Sequence, residues 1–167
     1  MLTDIPYKRL KKGSINKEDY KKLGNAAFDS KGKLIKLESC GMVDLSKLRS
    51  IIYRMVEQEG CKIVAIDYLQ RMQISIGRGK NEASEIGDIV NAIKAMAIQL
   101  GVPIILLSQL GREVEKRTDK KPNMSDLRGS GMIEEAADNI LLLFRAEYYD
   151  RDNPDVKGRC DVIVEKN

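Results

Sequence analysis

Five short apolar runs interrupt an otherwise polar chain and predict the strands of a sheet. Several of them are apolar at every position instead of alternating with polar residues. That pattern is typical of strands buried on both faces of a parallel sheet. The predicted strands span 34–38, 62–67, 102–107, 139–144 and 160–164.

Between these runs, apolar residues recur at the spacing of a helix. Apolar positions recur every three or four residues over 44–60 and again over 84–101, and each segment ends at a glycine. Further upstream, Asn16 can cap a helix that runs toward Gly24. Apolar strands that alternate with helices predict an α/β fold with a mostly parallel sheet.

The chain of 167 residues is long enough for one domain with a real core. Residues 1–33 form a lysine-rich, helical lead-in, which we interpret as a solvated face and not as a binding patch. Residues 34–167 contain the predicted sheet core, and 111–131 form a long polar loop within it. We find no internal repeat, so 1–167 is predicted to be a single domain.

Composition excludes several chemistries. The chain has no histidine, which removes Ser-His-Asp triads, histidine-ligated zinc and a histidine base. Its three cysteines form no CxxC pair, and two Phe without any Trp make an aromatic platform for single strands unfavourable. A net charge of +4 does not indicate general coating of nucleic acid. No apolar run of membrane length and no signal-peptide pattern is present, so we expect a cytoplasmic protein.

Polar residues follow two successive predicted strands. Asp67 ends the run Lys62-Ile-Val-Ala-Ile-Asp67, and Ser108-Gln109 follow the run over 102–107. Ligands of open α/β sheets bind beyond the carboxyl ends of the strands. If the two strands are neighbours, Asp67 can hold Mg²⁺ beside the Gln109 amide, an arrangement suited to nucleotide hydrolysis. The alternatives are that Asp67 only forms a turn and that Ser108 and Gln109 are only polar residues at the end of a strand.

The polar loop over 111–131 is the candidate contact for nucleic acid. It holds six positive and four negative side chains, so it is not a simple basic tract; Arg117 and Lys121 are among the positive ones. Its segment Arg128-Gly-Ser-Gly131 combines a guanidinium with glycines whose backbone N–H groups can approach a phosphate closely. A surface turn is the other interpretation of this tetrapeptide.

Three segments in this order resemble the DnaB-type hexameric replicative DNA helicase. They are Ile66-Asp-Tyr-Leu-Gln70, Gly101-Val-Pro-Ile-Ile-Leu-Leu-Ser-Gln-Leu110 and the stretch from Lys121 to Asp138 that contains Ser-Asp-Leu-Arg-Gly-Ser-Gly. The resemblance is to the C-terminal RecA-like motor domain and covers nearly the whole chain. It implies a RecA-like three-layer fold, truncated on the N-terminal side.

The resemblance also implies roles for individual residues. Asp67 supports Mg²⁺ at the nucleotide, and Gln109 senses the phosphate. Arg128, Gly129 and Gly131 lie in a loop that contacts single-stranded DNA, although the family commonly has a glutamate where this chain has Gly129. Lys166 matches a lysine that reaches the neighbouring subunit's nucleotide.

Two expected parts of such a motor are absent from the sequence. There is no G-x-x-x-x-G-K-[ST] segment to cradle phosphates, and the chain ends before the family's arginine finger. The resemblance implies a fragment of an ATP-dependent helicase that uses ATP and Mg²⁺, translocates on single-stranded DNA, assembles as a hexamer and meets a primase or a helicase loader. We expect the fragment alone to be inactive as an ATPase. The alternatives are a non-catalytic protein that joins or blocks helicase hexamers, and another RecA-like ATPase such as a recombinase.

Overall fold

The computed structural model describes residues 3–29, 35–72, 82–127 and 130–167. By its internal contacts the chain divides into two compact units, Met1–Glu38 and Ser39–Asn167. The single domain predicted over 1–167, with a lead-in that ends at 33, stays a prediction. No helix in the described ranges is long and apolar enough to cross a membrane.

The first unit contains two helices, α1 (Tyr7–Lys11) and α2 (Lys17–Asp29). Asn16 caps α2 as predicted: its side chain accepts a hydrogen bond from the Asp19 backbone N–H at 2.8 Å, and the Asp19 carboxylate accepts one from the Asn16 N–H at 3.1 Å. The same buried carboxylate pairs with Arg9 at 2.5 Å. This reciprocal cap and ion pair fix the start of α2, which runs through Gly24 to Asp29.

The second unit opens with α3 (Leu45–Tyr53), which continues as one π-helical turn over Arg54–Gln58. Asp44 caps α3 by accepting a hydrogen bond from the Lys47 N–H at 2.7 Å. The predicted end at Gly60 is confirmed, because this glycine adopts a φ of +72° that other residues avoid.

The second unit contains a parallel pair of strands. β1 (Val64–Ile66) and β2 (Ile104–Leu106) pair in parallel, with Ala65 opposite Ile105. Helix α4 (Glu82–Leu100) lies between these two strands in the chain, and it ends at Gly101 as predicted. The apolar face predicted for α4 is buried in the main core cluster, through Ile86, Ile89, Val90 and Ile93.

The remaining elements are α5 (Ser130–Ala136), β3 (Ile140–Phe144) and β4 (Asp161–Lys166). β3 and β4 pair antiparallel, so the strands of the described ranges form two two-stranded sheets, one parallel and one antiparallel. The strand predicted over 34–38 is wrong for its described part, because 35–38 are irregular and exposed. Within the described residues, no strand or bridge pairs with it.

Close packing brings α5 against α4. A Cβ atom added at Gly87 of α4 would lie 2.6 Å from Met132 Cε and 3.2 Å from Met132 Cβ. The absence of a side chain at Gly87 therefore lets α5 approach the backbone of α4. This contact positions the helix that begins within the predicted DNA-contacting segment, since α5 starts at Ser130 and contains Gly131.

Candidate active site

The carboxyl ends of β1 and β2 meet at one edge of their sheet. The Leu107 N–H donates to the Ile66 carbonyl at 3.0 Å, and the Leu69 N–H donates to the Leu107 carbonyl at 2.9 Å. Asp67 lies between these two bonds, and its peptide bond to Tyr68 is cis. The site predicted from the sequence required these two strands to be neighbours, and they are. Asp67 and Gln109 therefore leave the sheet at the same edge.

Gln70 joins the two strand ends and was not predicted as a site residue. Its amide nitrogen donates to Ser108 Oγ at 2.9 Å, while its amide oxygen accepts from the Gln109 N–H at 3.0 Å. A single primary amide thus holds both Ser108 and Gln109 just beyond the end of β2. The only signal in the sequence was its place in the segment Ile66-Asp-Tyr-Leu-Gln70, which does not reveal where the amide points.

The surroundings of Asp67 fit a magnesium ligand. Its carboxylate is exposed and has no hydrogen bond or ion pair to any residue of the described ranges. Those ranges contain no group of three or more acidic, cysteine or histidine side chains that could form a complete protein cage. Mg²⁺ at nucleotide sites is held by one or two carboxylates together with phosphates and water, so a lone free carboxylate suits it.

The side chain of Gln109 is also available. It is exposed and has no hydrogen bond to the described residues, whereas the backbone N–H of Gln109 is engaged by Gln70. A fixed backbone with a free amide side chain can direct a hydrogen bond toward a phosphate or a water at this edge. This geometry is compatible with the phosphate-sensing role predicted for Gln109.

Lys166 points toward α5. Its ammonium donates to the Glu134 carbonyl at 2.7 Å, near the end of that helix.

The neighbouring Asp138 is hydrogen-bonded to Lys94. The Lys94 ammonium, with a smaller contribution from the charge of Lys166, lowers the pKa of the Asp138 carboxyl below its ordinary value. The Lys94–Asp138 pair can therefore stabilise the fold at pH values above the ordinary carboxyl pKa. That stabilisation is lost as the pH falls through the lowered pKa of Asp138 and the carboxylate becomes protonated.

The predicted DNA-contacting loop is organised around a buried carboxylate. Asp126 Oδ2 accepts from Arg117 Nη2 at 2.7 Å and from the Asn123 N–H at 2.9 Å. Arg117 also donates to the Lys121 carbonyl at 2.8 Å. The structure therefore uses Arg117 inside the loop, whereas the Lys121 side chain is exposed.

The structure describes only part of the segment Arg128-Gly-Ser-Gly131. Arg128 and Gly129 lie outside the described residues. Gly131 is exposed in the first turn of α5, and a Cβ atom there would meet nothing within 4 Å. Its lack of a side chain is therefore not required by packing within the described part of the chain.

A cavity of about 530 Å³ opens where β2 and β3 end. Leu110 and Val114 line one side, and Phe144 and Tyr149 line the other, with their ring centroids 6.0 Å apart. Glu147 lies at its wall, and its pKa is lowered chiefly by the hydrogen bond from Arg145 and then by the one from the Gly158 N–H. The cavity adds an apolar, aromatic wall beyond the carboxyl end of the strand that leads to Gln109.

Replacing Gln70 by leucine tests its role in joining the strand ends. We expect the free energy of unfolding to fall by about 1–2 kcal/mol, because Ser108 and the Gln109 N–H lose their partner. Amide hydrogen exchange at Gln109 should accelerate in the same variant. Gln109→Ala is the matched control, since it removes an exposed side chain and keeps the backbone N–H, and it should leave both quantities unchanged. Unaltered exchange at Gln109 in the Gln70→Leu protein would contradict the interpretation.

Comparison with known proteins agrees with this geometry. The model of the DnaB-like helicase C-terminal domain matches residues 1–167. The replicative DNA helicase DnaB of Geobacillus stearothermophilus is 38% identical over 164 residues, and the replicative DNA helicase DnaC of Bacillus subtilis is 37% identical over the same number. Each alignment covers 98% of this chain but 36% of the relative, so the chain spans about a third of their length.

Solved structures show the same relationship. One solved ATPase domain superposes with a TM-score of 0.82 at 34% identity, over 98% of this chain and 58% of that domain. A DnaB-like replicative helicase, solved in a study of its interactions with primase, superposes with a TM-score of 0.78 at 35% identity and covers 92% of this chain and 36% of that one. The predicted α/β, RecA-like fold class is confirmed by these superpositions. Since the family model matches every residue from 1 to 167, the chain belongs to the DnaB-like helicase C-terminal domain family.

Proposed function

We propose that this chain is part of a replicative DNA helicase motor, in which ATP hydrolysis drives movement along single-stranded DNA. One observation carries the proposal: Asp67 and Gln109 leave neighbouring parallel strands at the same edge, where Gln70 holds the second strand end. This is the edge at which open α/β sheets bind ligands. Family membership supports the assignment.

Each residue of this edge has a chemical task in the proposal. Asp67 would hold Mg²⁺, which neutralises the charge that develops on phosphate oxygens during transfer. Gln109 would donate its amide hydrogens to the terminal phosphate or orient the attacking water. Gln70 would keep the Gln109 backbone in place while the Gln109 side chain responds to the phosphate.

The given sequence supplies no P-loop to hold the triphosphate. No G-x-x-x-x-G-K-[ST] segment occurs in its sequence, so the backbone cradle, the lysine and the metal-binding hydroxyl of a P-loop are not supplied. Positioning accounts for most of the catalysis of phosphoryl transfer. The isolated chain should therefore not turn over ATP.

The DNA-contacting side of the motor is proposed to be the loop over 111–131. Arg128, Gly129 and Gly131 would contact the phosphate backbone, and Lys121 would add an exposed positive charge. Arg117, whose side chain is 36% exposed, would contribute charge while it holds Asp126. Lys166 would act at the nucleotide of a neighbouring subunit, which requires its ammonium to leave the Glu134 carbonyl.

Partners follow from the same assignment. We propose assembly with helicase subunits into the family's hexamer, and contact with a primase or a helicase loader. One of the similar structures is that of a DnaB-like helicase studied for its interactions with primase. A non-catalytic role, in which the chain joins or blocks hexamers of a complete helicase, is the second candidate. The absence of a P-loop favours it for the isolated chain.

A replacement experiment tests the proposal. In the helicase of Geobacillus stearothermophilus, the 164 matched residues are exchanged for this chain, so that the parent supplies the rest of its own length. We expect the chimera to form hexamers by light scattering and to hydrolyse ATP within about tenfold of the parental rate, with stimulation by single-stranded DNA. Hexamers that bind ATP but show no turnover would count against a motor function for these residues.

A further inference from the structure

The start of the loop over 111–131 is joined to a later part of the same loop. Leu110, which comes just before the loop, forms an antiparallel bridge with Leu127. Beside this bridge, the Gly111 N–H donates to the Asp126 carbonyl at 2.7 Å. Leu127 is buried in the main core cluster, and Leu110 packs against that cluster. Backbone contacts anchored in the core therefore connect the end of β2 to a point near the far end of the loop.

The bridge adjoins two residues that the proposed function uses. Gln109, the proposed phosphate sensor, directly precedes Leu110 in the chain. Arg128, a proposed DNA contact, directly follows Leu127. Coupling between distant sites is carried by packed and hydrogen-bonded segments that move together. A displacement of Gln109 therefore reaches the residue before Arg128 through a single bridged pair.

Asp126 holds the far side of the bridge in place. Its carbonyl accepts the hydrogen bond from Gly111, while its carboxylate accepts from Arg117 Nη2 at 2.7 Å and from the Asn123 N–H at 2.9 Å. The Asp126 side chain is only 5% exposed, so water competes little for these bonds. A shift at Gly111 therefore moves the turn over Met124–Asp126 as a unit and is not absorbed by a loose loop.

The position of Gly111 leaves no room for a side chain. A Cβ atom there would lie 3.3 Å from the Asp126 carbonyl oxygen, which is closer than an ordinary van der Waals contact. The backbone conformation of Gly111 does not itself need glycine, since a φ of −63° and a ψ of 148° are open to other residues. Glycine is therefore required by the close approach of the two backbone segments.

We propose that the hydrogen bond from Gly111 to the Asp126 carbonyl couples the two sites of the motor, so that both residues are positioning residues. This inference rests on the proposed function. When Gln109 contacts the terminal phosphate, its displacement moves Gly111, and the hydrogen bond passes the movement to the turn before the DNA contact. Coupling between two binding sites is reciprocal, so bound DNA must change the affinity for the nucleotide by the same factor.

Two substitutions at Gly111 weaken this contact to different extents. Gly111→Ala adds a Cβ atom that displaces the Asp126 carbonyl by a few tenths of an ångström. Gly111→Pro removes the N–H donor altogether, and the φ of −63° at this position is one that proline adopts. Gly41→Ala is the matched control, because a Cβ atom at this exposed glycine would meet nothing within 4 Å.

The measurement is the ratio of two dissociation constants of the Geobacillus chimera for single-stranded DNA, one with ADP and one with a non-hydrolysable ATP analogue. We expect the constants to differ by about tenfold in the unsubstituted chimera and in Gly41→Ala. The difference should fall below about threefold in Gly111→Ala and vanish in Gly111→Pro. A merely structural role would weaken DNA binding equally with both nucleotides, and the ratio would not change.

The unsubstituted chimera separates failure of this inference from failure of the proposed function. If it shows the difference and Gly111→Ala hexamers retain it in full, the inference is overturned while the motor function stands, whether or not the Gly111→Pro protein assembles. An equal loss in Gly41→Ala would also overturn the inference, because the loss would not depend on the contact with Asp126. If the unsubstituted chimera neither hydrolyses ATP nor shows the difference, the proposed function fails, and the inference fails with it.

Discussion

Asp67→Ala in the Geobacillus chimera is expected to lower kcat for ATP by about a thousandfold, which corresponds to about 4 kcal/mol of transition-state free energy. The reason is the place of Asp67: it is a free carboxylate at the end of β1, beside the strand that leads to Gln109. Its loss removes the proposed protein ligand of Mg²⁺, and the developing phosphate charge loses its stabilisation. Steady-state turnover at saturating ATP and Mg²⁺ measures the effect.

Two further variants separate a metal role from a structural one. Asp67→Asn preserves the size of the side chain but weakens metal binding, so it should shift the Mg²⁺ dependence to higher concentration as well as lower kcat. Asp152→Ala removes an exposed carboxylate that has no hydrogen bond or ion pair to the described residues, and it should not change turnover. Equal rates for Asp67→Ala and Asp152→Ala would remove Asp67 from the active site.

Asp126→Ala is expected to lower the free energy of unfolding of this chain by about 2–3 kcal/mol. The Asp126 side chain is only 5% exposed, and it accepts hydrogen bonds from Arg117 and from the Asn123 N–H. Removing the carboxylate leaves the Asn123 N–H without its acceptor and takes the charged partner from the Arg117 guanidinium, which keeps its bond to the Lys121 carbonyl. Because the carboxylate is shielded from water, the difference in unfolding free energy between the parent and Asp126→Ala should change little with salt concentration.

Urea unfolding with Asp119→Ala as a matched control measures this prediction. Asp119 also accepts a backbone hydrogen bond in the loop, from the Lys121 N–H at 2.9 Å, but it is exposed. Its replacement should cost less than about 1 kcal/mol. A smaller loss for Asp126→Ala than for Asp119→Ala would show that the loop does not depend on the buried carboxylate.

The sequence predicted those features that local patterns determine. Continuous apolar runs identified the four strands of the described ranges, and a strand end followed by a polar residue identified Asp67 and Gln109. Helix ends at Gly60 and Gly101 followed from the left-handed backbone that glycine adopts readily. The false part of the predicted strand, over 35–38, shows the limit of this approach, because an apolar run becomes a strand only where a neighbouring strand can pair with it.

Features that depend on side chains meeting across the fold could not be predicted in this way. The Gln70 amide, which follows β1, bonds Ser108 and Gln109 beyond the end of β2, 38 and 39 residues away in sequence, and nothing in its own segment indicates that contact. Arg117 counted as one of six positive charges, yet a count of charges does not show that it pairs with Asp126. The antiparallel direction of β4 was likewise not determined by its apolar pattern.

Calorimetric titration of Mg²⁺–ATP into the isolated chain tests the central claim most directly. The claim is that the chain provides the metal and phosphate-sensing edge of a helicase motor but not the phosphate cradle. We therefore expect no saturable heat of binding for either the chain or its Asp67→Ala variant. Tight binding that Asp67→Ala abolishes would contradict the account, because the chain would then hold the triphosphate without a P-loop.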